Sequence, residues 1–282
     1  MESSNREQEG RQGLSPLIAA LQMCSTQDVG ANMACAYRWL RAARDQGAEL
    51  VVLPENFALM AENPKARLDH AEYEGVGPIQ GALKKWSREL GLWVVAGTLP
   101  LHGAHPSKLK AACLVFDDRG ERVARYDKIH LFDVDLGEGE RYCESDAIEA
   151  GDQIVVVPTP FGKLGLAICY DLRFPELFRQ LSEKGAEIMT LPSAFTVPTG
   201  QAHWEVLIRA RAIENSCYVV AAAQAGLHEN GRATYGHSMI VDPWGAVQAV
   251  RPAGDGVVTA RFNSEEVEAV RRRLPSITHR RL

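Results

Sequence analysis

Apolar residues along this chain recur with two periods. Runs of roughly four to eight, bounded by Gly, Pro, Asp or Asn, read as strands, and longer stretches spaced i, i+3, i+4 read as helices. Leu17–Gln22 reads as a strand, and Val29–Gln46 has helical spacing through Met33, Tyr37, Leu40 and Ala43 until Gly47 stops it. Leu50–Leu53 is a short apolar run suited to a buried strand, and a polar loop with some helical spacing follows it. The pattern then predicts a helix over Ile79–Leu90, a strand over Leu92–Thr98, and a hairpin of Ala111–Phe116 with Arg122–Tyr126 about the turn Asp117–Gly120. Gly137–Gly151 is a polar loop of a length that more often serves function than connection.

A second hairpin, Gln153–Pro158 with Lys163–Ile168, is expected around Thr159–Gly162. Helices are expected over Phe174–Lys184, from about Gln201 to Asn215, and over Glu265–Arg273. Strands are expected over Ile188–Leu191, Tyr218–Ala223, His237–Val241, Val247–Val250 and Gly256–Phe262. Hairpins interleaved with crossover helices predict an α/β fold with mixed sheets. No linker or repeat interrupts residues 14–282, which therefore read as one domain, whereas residues 1–13 are polar, lack an apolar period and read as a disordered lead.

Composition narrows the partners. With 282 residues, 46% hydrophobic and 24% charged, the chain can bury a sizeable core. A net charge of −5 argues against nucleic acid, and the basic cluster Arg271–Arg273 with Arg280 and Arg281 reads as a helix face and tail behind Glu265, Glu266 and Glu268. No run is long enough to span a bilayer, and Leu14–Met23 is broken as a signal segment by Pro16 and Gln22. The six cysteines are widely spaced without a C-x-x-C pair, so neither a metal site nor a disulfide framework is expected, and a reducing cytoplasm is the natural compartment.

Three polar residues share one position type. Glu55, Lys128 and Cys169 each stand just past the end of an apolar strand, where open α/β sheets collect their chemistry. Taken alone, a cysteine after a strand is more often a packed core thiol. A carboxylate that can take its proton and an ammonium that can hold a developing oxyanion change that reading.

The segments Leu-Pro-Glu55-Asn, Tyr-Asp-Lys128-Ile-His-Leu-Phe-Asp and Ile-Cys169-Tyr-Asp-Leu-Arg-Phe-Pro-Glu resemble the Glu-Lys-Cys signature of the nitrilase, or carbon–nitrogen hydrolase, superfamily. That resemblance extends from Leu14 to Arg281. It implies a four-layer α-β-β-α sandwich of two mixed sheets, subunits paired into a homodimer or higher homo-oligomer, and no cofactor. It also implies a second glutamate on the loop after the lysine, here Glu144, and an oxyanion contact from the backbone N–H of Tyr170. Pro-Ser193-Ala-Phe195, His203-Trp204-Glu205, Tyr235-Gly-His237-Ser238 and Asp242-Pro-Trp-Gly are similar to the amidase branch that takes deaminated glutathione, and to its omega-amidase relatives. Ser276-Ile277-Thr278 departs from that branch where an apolar pair is usual, which bears on dimer packing.

Substrates of that branch are anionic 2-oxo acids bearing an amide. Arg173 is the cation nearest the thiol in sequence and suits either the substrate's carboxylate or an ion pair with Glu176 or Asp171. Phe195, Thr199 and His203 are further candidates for the pocket, although Phe195 also suits the core and Thr199 a helix cap. His130 and Phe132 suit a supporting place, as do Tyr235 and His237. Cys113 and Cys217 lie inside apolar strands and read as core. The other readings are another amidase of the superfamily, such as an N-carbamoyl hydrolase, a catalytically silent binding protein of the same fold, and a thiol redox sensor, for which Cys169 has no partner nearby in sequence.

Overall fold

A computed structural model describes residues 15–135, 137 and 141–281. The expected disordered lead, residues 1–13, lies outside the described residues. The first half runs β1 (Leu17–Gln22), α1 (Val29–Asp45), β2 (Ala48–Val52), α2 (Pro64–Asp69), α3 (Pro78–Leu90), β3 (Trp93–Val95), β4 (Leu99–His102), β5 (Leu109–Phe116), β6 (Arg122–Asp127), β7 (Asp133–Asp135) and β8 (Arg141–Cys143). The second continues with β9 (Val156–Thr159), β10 (Gly162–Leu166), α4 (Pro175–Glu183), β11 (Ile188–Ser193), α5 (Val197–Asn215) and β12 (Tyr218–Ala223). It closes with β13 (Ala225–Leu227), β14 (Ala233–Tyr235), β15 (Ser238–Val241), β16 (Val247–Arg251), β17 (Gly256–Arg261) and α6 (Ser264–Arg273).

Two mixed sheets result. One has the order β17-β1-β2-β3-β5-β4 with β6 also on β5, and the other the order β16-β15-β12-β11-β10-β9. In each, three adjacent strands pair in parallel, β1-β2-β3 and β10-β11-β12, and antiparallel strands extend the rest. Alternation in β1 and β2 shows how the sheets are layered. Ile18, Ala20, Leu50 and Val52 share the central core with Leu166 and Ile188, while Ala19, Leu21, Val51 and Leu53 pack with Leu40 of α1 and Leu83 of α3. Leu177 and Phe178 of α4 and Trp204 and Ile208 of α5 join the core from the second sheet. The layers are therefore helix, sheet, sheet, helix. Strands buried on both faces are apolar at consecutive positions, which is why they read as runs.

Several elements differ from the sequence pattern. The strand expected over Leu92–Thr98 stops at Val95, because Gly97 (φ +51°) turns the chain so tightly onto the Pro54 carbonyl that a Cβ there would collide with it. β4 was not expected; its Pro100 is tolerated because β4 ends the sheet. α5 begins at Val197, four residues before the expected start, with Pro198 in its first turn, where a missing N–H costs nothing. The predicted loop after Gly137 contains β8, paired with β7, and a 3-10 turn at Glu144–Asp146.

Candidate active site

The turn after β2 is held from both sheets. Asn56 takes a left-handed φ of +57° and its N–H donates to Thr98 Oγ1 at 2.8 Å, while the Glu55 carbonyl accepts from Gln224 Nε2 at 3.0 Å. Lys128 follows β6 directly, with its N–H on the Ala111 carbonyl (3.1 Å) and its own carbonyl accepting from Gly151 N–H (2.8 Å). Cys169 follows β10 at φ +46°, a sparsely populated conformation for a side chain other than glycine's, and opens a 3-10 turn, Cys169–Arg173.

Asp171 fixes that turn. Fully buried, its carboxylate accepts from Ile168 N–H (2.8 Å), Tyr126 Oη–H (2.6 Å), His130 N–H (3.1 Å) and His130 Nδ1–H (2.7 Å). The His130 ring stacks on Phe174, 3.6 Å between centroids. From the other side Arg211 clamps the Leu172 carbonyl through Nε (3.1 Å) and Nη2 (2.8 Å). The turn's strained conformation is thus over-determined by charged hydrogen bonds from two other elements.

The three strand ends meet. Lys128 Nζ, 2% exposed, lies 2.8 Å from Glu55 Oε1 and 3.0 and 2.8 Å from the two oxygens of Glu144. Glu144 Oε2 also accepts from Phe132 N–H at 2.7 Å. The Cys169 thiol lines the same cavity as the Glu55 carboxylate, close enough for each to shift the other's titration. Burial alone lifts the carboxyl of Glu55, but the charge and hydrogen bond of Lys128, with the neighbouring Cys169 thiol, outweigh it and hold the group below its usual range. Burial disfavours the Lys128 ammonium, and Glu144 and Glu55 together overcome that and raise it. For Cys169, burial and then the Glu55 charge push the thiol up, against the pull of Lys128. The resting site therefore holds a carboxylate at Glu55, an ammonium at Lys128 and a neutral thiol at Cys169.

These groups open onto a cavity of about 200 Å³ whose lining includes Tyr170, Arg173, Phe195 and Thr199. Arg173 makes no ion pair with Glu176 or Asp171; it donates to His203 Nδ1 at 3.3 Å and lies 5.4 Å from the Phe195 ring. His203 itself is exposed and outside the cavity lining, reaching it through Arg173. Phe195 and Thr199 do two things each. Phe195 packs on Trp204, 4.8 Å between centroids, and Thr199 Oγ1 pairs with Thr196 Oγ1 at 2.9 Å in the first turn of α5. Phe132, read as supporting, is in the lining. Cys113 and Cys217 are buried in the core, the Cys217 thiol pushed up to about 12 by burial.

Sequence reading missed Arg67 and Arg232. α2 brings the first to the cavity and the β13–β14 hairpin the second, and neither segment has a periodicity that points at a strand end. Among the described residues no group of three or more His, Cys, Asp or Glu is arranged to hold a metal ion, and no helix is long and apolar enough to cross a membrane.

Two stacked mixed sheets between helix layers, with a strand-end thiol beside a Glu–Lys–Glu cluster, define a nitrilase-type fold. The carbon-nitrogen hydrolase family matches residues 17–272, and the chain belongs to that family, hydrolases of carbon–nitrogen bonds other than peptide bonds. It is 41% identical over 266 residues to the deaminated glutathione amidase of Yersinia enterocolitica, covering 94% of this chain and 92% of that one. With the human deaminated glutathione amidase it shares 44% identity over 270 residues, 94% of this chain and 82% of the relative. Among solved structures, Saccharomyces cerevisiae Nit3, a member of branch 10 of the nitrilase superfamily, matches with a TM-score of 0.84 at 30% identity, covering 93% of this chain and 95% of that one.

Proposed function

We propose that residues 14–282 form one cysteine-dependent amidase that hydrolyses the amide of a 2-oxo acid, deaminated glutathione, to 2-oxoglutarate and cysteinylglycine. The observation that carries this reading is the convergence of Cys169 and Glu55 with a doubly paired Lys128 on one cavity that also presents Arg173. The relatives named for deaminated glutathione support the choice of substrate.

The proposed steps use the groups that meet at the cavity. Glu55 takes the Cys169 proton as sulfur attacks the amide carbon, and the carbonyl π pair moves onto oxygen. Lys128 and the Tyr170 N–H hold that oxyanion. Collapse breaks the C–N bond, and the amine leaves with the proton from Glu55. Glu55 then deprotonates a water that attacks the thioester; the C–S bond breaks and the proton returns to sulfur. Glu144 keeps Lys128 aimed, since a lysine paired on both sides has little rotational freedom. Arg173 takes the 2-oxo acid's carboxylate, with Phe195 and Thr199 beside it and His203 behind it. No cofactor enters this sequence.

Six unpaired cysteines suit the cytoplasm. Val206 and Ile213, two turns apart on α5, and Trp244 are exposed apolar residues that suit burial in a homodimer, checked by sedimentation. The substrate is tested by comparing kcat/KM for deaminated glutathione and 2-oxoglutaramate. A preference for the former is expected; a preference for 2-oxoglutaramate by orders of magnitude contradicts the substrate assignment.

A further inference from the structure

Three guanidinium groups, Arg67, Arg173 and Arg232, line the cavity, and among the described residues none forms an ion pair with a carboxylate. Elsewhere, half-buried or buried arginines such as Arg125 and Arg211 are matched to Asp127 and Glu214. Arg67 has no hydrogen-bonded side-chain partner among the described residues. Arg232 donates through Nη2 to the Ala194 carbonyl at 2.5 Å and lies over the Tyr142 ring at 5.2 Å, but its Nε is buried with no acceptor among the described residues. The two are close enough for the charge of Arg232 to disfavour that of Arg67, adding to the effect of burial, with Glu144 and Glu55 opposing both. Glu55 and Glu144 are committed to Lys128, so neither supplies the missing anion by contact.

Like charges that share a cavity and lack a carboxylate partner are costly unless an anion bridges them. Arg173, beside Phe195, serves the acyl side of the substrate, which leaves the other two without an assigned ligand. We propose that Arg67 and Arg232 form a second anion subsite that binds a carboxylate at the far end of the leaving amine. The enzyme then selects dianionic amides whose amine portion ends in a free carboxylate, as a dipeptide does. This rests on the amidase reading above and specifies what it selects. A carboxylate between two guanidinium groups accepts bidentate, charge-assisted hydrogen bonds, including one from the orphaned Nε.

The test compares two substrates on the intact chain: deaminated glutathione and the same molecule with its terminal carboxylate converted to a carboxamide. The carboxamide should show a kcat/KM lower by about 10- to 100-fold, the range for losing charged hydrogen bonds. In Arg67→Met and Arg232→Met that ratio should collapse toward one, whatever each variant does to absolute rates, and Arg232→Lys should restore part of it. Equal rates for the two substrates with the unaltered chain, or a ratio retained in both Met variants, overturns the subsite while leaving the amidase standing. Absence of turnover with both substrates and with 2-oxoglutaramate overturns the amidase reading and the subsite together.

Discussion

Two charged regions border the same cavity and are built on opposite rules. Around Lys128 every charge has its partner: an ammonium 2.8 Å from Glu55 and 2.8 Å from Glu144, all deeply or largely buried. Around Arg67, Arg173 and Arg232 the positive charges have no carboxylate of their own among the described residues. In the proposed mechanism the paired region is set before substrate arrives, so its electrostatics need little reorganisation as an oxyanion forms. The unpaired region is complete only when an anion from outside occupies it. Pairing within the fold suits chemistry, and its absence suits recognition.

Changes on the paired side should cost most. Lys128→Met leaves Glu55 and Glu144 as neighbouring buried carboxylates without a cation, and a loss of about 3–5 kcal/mol of stability is expected by denaturant titration, with loss of turnover. Acid should reach the same pair through its other member. The carboxyl of Glu55 is held below its ordinary 4.5, so its contribution to stability is present above that value and disappears as pH falls through the depressed one. The acid limb of kcat/KM should accordingly lie below pH 4.5, and a limb near the histidine range would point to a different base.

Asp171→Asn puts an amide where four donors converge, leaving at least one unsatisfied; about 1–3 kcal/mol of stability should be lost, with a lower kcat as the Cys169 turn relaxes. On the unpaired side Arg67→Met removes a charge that no carboxylate among the described residues contacts, and thermal unfolding should shift by the equivalent of under about 1 kcal/mol. A large loss there would mean that the guanidinium has a structural partner and would erase the contrast.

The two regions also differed in how far they could be read from sequence. Glu55 and Cys169 follow apolar runs, and a run buried on both faces announces its own end; Lys128 follows the polar, half-exposed second strand of a hairpin, RVARYD, whose end the Asp117–Gly120 turn makes legible. Glu144 needed the resemblance to place it, because the loop that carries it folds into a short hairpin and a 3-10 turn with no apolar period. Arg67 and Arg232 were not legible. One lies on α2, a helix of 6 residues, and the other on a hairpin of 3-residue strands, and packing rather than pattern brings both to the cavity. His203 was a plausible neighbour in sequence, but the helix turns it to the exposed face, where it accepts from Arg173.

The most direct test of the account is the mass of the peptide containing Cys169 after rapid mixing with deaminated glutathione and acid quenching. A transient 2-oxoglutaryl thioester on Cys169 is expected, lost as cysteinylglycine and 2-oxoglutarate accumulate, with neither adduct nor turnover in Cys169→Ala. Undiminished hydrolysis by Cys169→Ala would contradict it.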